Sequence, residues 1–226
     1  MTTPERLAQP SMVGPQKPFK RAATRFALRA ATAADLPALY QICLATALAG
    51  HDGSGHYRDP ELPGHLYAAP YLVLAPESCL VLEDEAGVCG YALGCADSAA
   101  FHARLEQQWL PPLRQRYPLS EASADADGQL IHRLHQPPQW LPALLPFPAH
   151  LHLDLLPRAQ GCGQGRRLLE ALLETLARQG AAGVHWGVDP ANGRAVGFYR
   201  RLGFEVVWQQ PGCLWFATRF SAGEGL

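Results

Sequence analysis

The sequence lacks the features that mark several common classes of protein. It has no dense block of Lys and Arg, and its 19 basic and 20 acidic side chains leave a formal net charge of −1 at pH 7. Nonspecific nucleic-acid binding requires clustered positive charge, so the composition argues against a nucleic-acid partner. No uninterrupted apolar run reaches about 18 residues, so we expect no membrane-spanning helix. The N-terminus has no signal-peptide-like apolar core, and we therefore expect a cytoplasmic protein.

Cysteine is present, but not at metal-binding spacing. The six cysteines include no C-x-x-C pair, which argues against a structural zinc site. Several lie in apolar segments, where a free thiol acts as a small hydrophobic side chain, so we expect reduced thiols. The cysteines are Cys43, Cys79, Cys89, Cys95, Cys162 and Cys213.

The length and composition predict one sizeable domain with extensions. The chain has 226 residues, of which 48% are hydrophobic, enough for a substantial core. Residues 1–24 contain four prolines and few apolar anchors, so they predict a flexible arm. Residues 25–221 predict a single mixed α/β domain, with an insertion of helical composition over about residues 98–148.

A glycine-rich turn between a strand and a helix is the most informative stretch of the chain. Residues 151–156 predict a strand that ends at Pro157, and leucines at helical spacing over residues 168–176 predict a helix that ends at Gly180. Glycines leave backbone N–H groups unobstructed, and the start of a helix adds unpaired N–H groups and a partial positive charge. The turn therefore predicts a phosphate-binding site.

The spacing within this turn selects among phosphate ligands. A dinucleotide-type G-x-G-x-x-G pattern fails because Arg166 stands where the third glycine belongs, and no Gly-Lys-Ser/Thr follows as in a Walker loop. The pattern that fits is Q-x-x-G-x-G, formed by Gln160, Gly163 and Gly165. Taken alone, so short a pattern is also compatible with a turn that binds no ligand.

A second motif follows later in the chain. Asn192, Ala195, Tyr199, Gly203 and Phe204 form N-x-x-A-x-x-x-Y-x-x-x-G-F. The two motifs, in this order, resemble those of the GNAT superfamily of acetyl-CoA-dependent N-acetyltransferases. The resemblance implies a single α/β domain of the α+β kind, with a mixed, mostly antiparallel central sheet of six to seven strands. Helices would flank this sheet, and it would be splayed at the strand that meets acetyl-CoA.

Residues 79–97 support a narrower resemblance. Two apolar segments joined at Gly87 predict a hairpin. Their sequence resembles the C-terminal acetyltransferase-like domain of animal O-GlcNAcases and its stand-alone bacterial relatives, and the likeness runs from about residue 59 to residue 212. The animal domains are thought to have lost the phosphate-loop glycines. This chain keeps them, so the resemblance implies a working acetyl-CoA site.

The resemblance implies acetyl-CoA contacts in three segments. The predicted strand would offer free N–H groups, with Leu155 N–H polarising the acetyl carbonyl, and such a donor is worth on the order of 2.7–4 kcal/mol. The glycine turn and Arg166 would hold the diphosphate, and Asn192 the pantetheine amide, unless Asn192 is simply a helix N-cap. The cofactor-binding residues implied are Leu153, Asp154, Leu155, Leu156, Gln160, Gly161, Cys162, Gly163, Gln164, Gly165, Arg166, Asn192, Ala195, Phe198 and Tyr199.

Two residues are predicted to act in catalysis. Tyr199 matches the family tyrosine that protonates the departing thiolate, a plausible role for a phenol of pKa near ~10; the alternative is a packed tyrosine. Asp154 adjoins the predicted thioester strand and is the candidate general base, directly or through water; the alternative is a structural hydrogen-bond acceptor. Glu83, Asp84 and Asp97 are weaker candidates for the base.

Three histidines, His150, His152 and His185, are predicted to meet on neighbouring strands, which raises the question of a metal site. No carboxylate or cysteine completes a recognisable ligand spacing, so we predict no bound metal.

The remaining segments predict the surroundings of the acceptor. Residues 50–70, rich in Gly, His and Asp, predict a mobile loop that either faces the substrate or is a solvated surface loop. Residues 98–116 are helical in composition, and the prolines at 111 and 112 are expected to kink or end that helix. Residues 117–129 predict a polar surface loop, and Trp140 a packing anchor.

The function implied by the resemblance is transfer of an acetyl group from acetyl-CoA to a primary amine by direct attack. The acceptor is either a small molecule or a peptide amine, and the protein either a monomer or a homodimer. Two alternatives are a module that binds acetyl-CoA without transferring its acetyl group, and a protein-docking domain with a vestigial ligand site.

Overall fold

The computed structural model describes residues 25–220, so the arm predicted over residues 1–24 lies outside the described residues. This range contains seven strands and eight α-helices. The strands are β1 (Ala27–Ala30), β2 (Cys79–Asp84), β3 (Gly87–Cys95), β4 (Ala149–Leu155), β5 (Gly183–Val188), β6 (Glu205–Gln210) and β7 (Cys213–Arg219). The α-helices are α1 (Leu36–Thr46), α2 (Leu62–Tyr67), α3 (Ala69–Leu74), α4 (Ser98–Arg104), α5 (Leu110–Arg116), α6 (Ala126–His135), α7 (Gln164–Arg178) and α8 (Gly193–Arg201).

One seven-stranded sheet runs through the described part of the chain, in the order β1-β2-β3-β4-β5-β7-β6. Each neighbouring pair is antiparallel except β4 and β5, which are parallel. The predicted fold class, a mixed and mostly antiparallel sheet of six to seven strands flanked by helices, is confirmed.

Helices cover both faces of the sheet. Helix α7 packs against β2, β3, β4 and β5 through a stripe of buried leucines, as the helical spacing predicts. Full burial of each such side chain stabilises the fold by about 1.5–3 kcal/mol. Helices α1 and α3 pack on the opposite face, over β3. In residues 25–220, no helix combines the length and the apolar character that crossing a bilayer requires.

The prolines at positions 111 and 112 do not end the helix that precedes them. Helix α4 passes into a wide π-helical turn, Leu105–Trp109, and α5 follows directly. The prolines fall in the first turn of α5, where a missing N–H is tolerated, because the wider turn has already interrupted the regular hydrogen-bond ladder. Of the two expected effects, a kink or an end of the helix, the structure therefore excludes the end.

Residues 117–129 are not wholly a surface loop, because α6 begins at Ala126. Asp125 caps this helix by accepting the Gly128 N–H (2.9 Å). Asp127 is 4% exposed and accepts the backbone N–H groups of Arg58 (2.9 Å) and Asp59 (3.0 Å). The buried carboxylate at the start of α6 therefore fixes the backbone of residues 58 and 59 by hydrogen bonds.

Two further expectations are corrected. The segment 50–70 is a loop only in its first part, since α2 occupies Leu62–Tyr67 and α3 begins at Ala69. Trp140 is not a packing anchor: its side chain is 50% exposed and makes an edge-on contact with His102.

Substitution of Gly128 by alanine is expected to destabilise the cap of α6. A Cβ at this position would overlap the carbonyl oxygen of Ser123, so backbone must move. We expect a loss of about 1–3 kcal/mol in the free energy of unfolding, measured by urea titration. Gly193→Ala is a matched control, because Gly193 is also in the first turn of a helix and a Cβ there meets open space. Equal losses in the two variants would contradict this explanation.

Candidate functional site

The strands β4 and β5 separate soon after they meet. They pair only at Ala149↔Val184 and His150↔His185. Beyond that point β4 stays paired with β3 as far as Leu155, and β5 stays paired with β7 as far as Val188. The splay predicted at the acetyl-CoA strand is therefore present, and a wedge-shaped gap opens between the two parallel strands.

Backbone groups of β4 point into this gap. Leu156 N–H donates to Cys89 O (2.8 Å), so this residue faces β3. Successive residues of a strand direct their hydrogen-bonding groups to opposite sides, which turns the N–H groups of Leu153 and Leu155 away from β3 and toward β5. The Leu155 carbonyl on that side accepts the side-chain amide of Gln160 (2.7 Å). The N–H groups predicted to meet the thioester are thus available in the gap.

The glycine turn leads from the end of β4 into α7. Gly161 (φ 75°) and Gly163 (φ 81°) adopt left-handed backbone conformations, and a Cβ on either would meet no atom of residues 25–220 within 4 Å. Gly163 occupies the N-cap position of α7, so no side chain there satisfies the first N–H groups of the helix. The turn therefore presents free N–H groups to open space, the arrangement that favours an anionic ligand.

Gly165 has a different role from the other two glycines. A Cβ at this position would lie 3.1 Å from Leu155 Cδ1 and 3.5 Å from the Phe198 ring. This glycine lets the start of α7 pack closely against β4 and α8.

The polar side chains of the turn are mostly engaged with the protein. Gln164 Nε2 reaches Cys162 O at 3.5 Å, and the exposed Cys162 thiol lies 3.3 Å from Ala159 O. Arg166 forms an exposed ion pair with Glu170 (2.6 Å), an interaction weak enough to give way to a ligand. Gln160 Oε1 is buried and has no hydrogen-bond partner among residues 25–220.

Tyr199 lies on α8 and is 4% exposed. Its ring packs against Trp186 (5.0 Å between centroids) and Phe216 (5.4 Å). Burial, with a smaller contribution from the charge of Asp154, raises the pKa of Tyr199 above its usual value. The phenol therefore keeps its proton at neutral pH, as a proton donor must, and it is also a packed side chain.

Asp154 stands opposite Tyr91 in the β3–β4 ladder, and its Oδ2 accepts the Tyr91 hydroxyl (2.7 Å). Burial raises the pKa of Asp154, and the hydrogen bond from Tyr91 opposes that rise. The Asp154 carboxylate is thus a structural hydrogen-bond acceptor, and it lies on the strand that borders the gap.

Asn192 caps α8, because its Oδ1 accepts the Ala195 N–H (3.0 Å). The turn after α1 closes over it: a Cβ on Gly50 would lie 2.9 Å from Asn192 Nδ2. Ala49, beside Gly50, has a φ of 48°, a strained conformation for a residue with a side chain.

A cavity of about 260 Å³ opens where this turn, the end of β4 and the start of α8 meet. It includes Gln160 of the glycine turn, and His51 and Asp52 from the segment predicted to face the substrate. Sequence reasoning missed Arg194, which adds a positive charge to this cavity beside the Asn192 cap. The lining residues are Ala45, Gly50, His51, Asp52, Pro157, Gln160 and Arg194.

The histidines predicted to meet do so in part. His150 and His185 are directly paired, with ring centroids 5.9 Å apart, and His152 contacts Tyr71 (5.3 Å). Among residues 25–220, no group of three or more His, Cys, Asp or Glu side chains is arranged to hold a metal ion.

Comparison with known proteins agrees with this geometry. Residues 132–204 match the acetyltransferase (GNAT) family. The crystal structure of SsHAT is 39% identical in sequence and superposes with a TM-score of 0.82, over 86% of this chain and 98% of that chain. The chain belongs to the GNAT acetyltransferase family.

Two kinds of curated protein are also similar. Protein O-GlcNAcase of Rattus norvegicus is 29% identical over 180 residues, which cover 76% of this chain and 19% of that protein. The chain thus spans about a fifth of the length of the curated O-GlcNAcases it matches. L-methionine sulfoximine/L-methionine sulfone acetyltransferase of Pseudomonas paraeruginosa is 29% identical over 101 residues, 43% of this chain and 56% of that protein. The predicted likeness to O-GlcNAcase is thereby confirmed.

Proposed function

We propose that the protein is an acetyl-CoA-dependent N-acetyltransferase that moves the acetyl group to a primary amine by direct attack. The observation that carries this proposal is the gap between β4 and β5, which leads at its open end into a glycine turn with free N–H groups. The gap fits an extended thioester chain, and the turn fits the diphosphate at the far end of that chain. Membership of the acetyltransferase family supports the same assignment.

Backbone donors polarise the thioester in this proposal. Leu155 N–H, or Leu153 N–H one step closer to the paired end of the gap, bonds the acetyl oxygen as negative charge develops on it. A donor of this kind contributes on the order of 2.7–4 kcal/mol to the stability of a transition state. The glycine turn, Arg166 and the newly identified Arg194 bind the diphosphate.

Proton transfer completes the reaction. Tyr199 protonates the departing thiolate, and its raised pKa keeps it in the protonated form that this role requires. For the group that takes the amine proton, the sequence offers Asp154, whose Oδ2 also accepts the Tyr91 hydroxyl.

The acceptor is proposed to be a small amine rather than a peptide. The methionine sulfoximine and sulfone acetyltransferase, by its name, acts on small amino-acid analogues. The runner-up is an acetyl-CoA-binding module without transfer activity, which the retained glycines and Tyr199 disfavour. We expect a cytoplasmic protein, monomeric or homodimeric.

Substitution of Gly163 by alanine tests the phosphate-binding turn. The added Cβ strains the left-handed backbone and obstructs the N–H groups, so we expect at least a tenfold weaker affinity for acetyl-CoA by titration calorimetry. Gly212→Ala is the matched control: its φ of 76° and open surroundings impose the same strain in the turn between β6 and β7. If both variants bind as tightly as the wild type, or if the wild type releases no heat, the proposed site is wrong. Release of free thiol in the presence of an amine panel then separates transfer from binding alone.

A further inference from the structure

The histidines of β4 lie on the face of the sheet opposite α7. Leu151 belongs to the core under α7, whereas His150 and His152 contact Tyr71 of α3. This follows from the alternation of side chains along a strand. One face of the gap therefore carries Tyr199 and α7, and the other carries the imidazoles and Asp154.

His152 is adjacent in sequence to Leu153, one of the two residues whose N–H groups are proposed to bond the acetyl oxygen. It immediately precedes Leu153, the first residue beyond the paired end of β4 whose N–H faces the gap. Its ring lies between Tyr67 (5.8 Å) and Tyr71 (5.3 Å). Within residues 25–220 the ring has these aromatic neighbours but no hydrogen-bond partner, and the side chain is partly exposed. The unprotonated nitrogen of this ring is thus free to accept a proton.

The paired histidines behind His152 have defined tautomers. Ser98 donates its hydroxyl proton to Pro148 O (2.6 Å), so its oxygen accepts Nδ1–H of His150 (2.7 Å). His185 Nδ1–H donates to Phe147 O (2.7 Å). In both rings Nε2 is therefore the basic nitrogen. The Nε2 atoms of His150 and His185 are thus two more proton acceptors, at the end of the gap where β4 and β5 are paired.

The surroundings keep this cluster uncharged. Burial lowers the pKa of His152 to about 4, with the charge of Arg133 on α6 acting in the same direction. Burial and the neighbouring histidines hold the pKa of His150 well below its usual value. Other polar neighbours are the Cys95 thiol (3.1 Å from His150 Nδ1) and His102, which stacks on His150 at 5.8 Å. A neutral imidazole has one unprotonated ring nitrogen, so each of these rings can accept one proton.

We propose that His152 is the residue that takes the proton from the acceptor amine, on the imidazole face of the gap. This inference rests on the proposed function and places the base on His152 instead of Asp154. The neutral amine attacks the thioester carbon, forming the N–C bond, and the C–S bond breaks. Sulfur leaves with the electron pair and takes the Tyr199 proton, while the surplus proton on nitrogen passes to His152. His152 releases that proton to solvent and the Tyr199 phenolate regains one.

The test compares His152→Ala, Asp154→Asn and the wild type, with thiol release measured for benzylamine, 2-phenylethylamine and L-methionine sulfone. We expect His152→Ala to bind acetyl-CoA normally by calorimetry and to lose about 10²–10⁴-fold in kcat/KM for the amine. Added imidazole should restore part of that loss, which a merely structural role would not allow. His132→Gln, an exposed histidine on α6, is the control and should match the wild type.

Each contrary outcome is distinct. Three results would overturn the assignment to His152. The first is turnover of His152→Ala within twofold of the wild type, and the second is a loss of activity in this variant that imidazole does not restore. The third is a comparable loss of activity that occurs only in Asp154→Asn. Binding of acetyl-CoA by the wild type without turnover of any amine would instead remove the proposed transfer reaction, and this inference with it.

Discussion

Tyr199→Phe is expected to bind acetyl-CoA as tightly as the wild type and to transfer the acetyl group about 10²–10⁴-fold more slowly. The ring that packs against Trp186 and Phe216 is retained, so the fold and the gap should persist. What is lost is the phenolic proton. Because burial raises the pKa of Tyr199, the wild-type residue is protonated over the whole neutral range.

Single-turnover measurements separate binding from transfer in this variant. Acetyl-CoA affinity from calorimetry should be equal in the two proteins, while the rate of thiol release in the presence of an amine should fall. Tyr117→Phe is a matched control, since it removes another largely buried hydroxyl, bonded to Asp59 (2.7 Å), away from the gap. Equal turnover in Tyr199→Phe and the wild type would exclude the hydroxyl from the reaction.

The parts of the site that lie in one local motif could be predicted from the sequence. Glycines at positions 161 and 163 adopt the left-handed conformations that their spacing suggests, and the leucines of α7 form its buried stripe. The splay could be predicted only through the family resemblance. It depends on where β4 and β5 stop pairing, and local sequence preferences do not encode that contact.

Features that depend on distant contacts could not be predicted. The buried position of Asp127 follows from its bonds to Arg58 and Asp59, far away in sequence. Arg194 enters the site only because the turn after α1 folds back over α8. The tautomer of His150 depends on Ser98, on a different element, so no pattern in β4 reveals it. In each case the role of the side chain depends on a tertiary contact, and the spacing of residues in the sequence does not reveal that contact.

Acidification from pH 7 to pH 5 is expected to destabilise the protein strongly. Burial lowers the pKa values of His150, His152 and His185 in the folded state. Between the folded value and the unfolded value near ~6.5, the unfolded chain binds more protons than the folded one. Stability therefore falls as the pH decreases through this window, by about 1.4 kcal/mol per pH unit for each histidine that is still neutral in the fold. For His152 the window extends from about 6.5 down to about 4.

Urea titrations at pH 7.5, 6 and 5 check this expectation. His152→Gln should show a shallower dependence on pH by about one proton, because the glutamine does not titrate, whereas exposed His132→Gln should keep the wild-type slope. Asp154 acts in the opposite direction, since burial raises its pKa and the folded state then binds the extra proton. Its contribution is common to the wild type and both variants and cancels in the comparison. Two results would show that His152 is not held neutral by the fold. One is a wild-type free energy of unfolding that stays constant or increases as the pH is lowered from 7 to 5. The other is an equal pH dependence of this free energy in His152→Gln and the wild type.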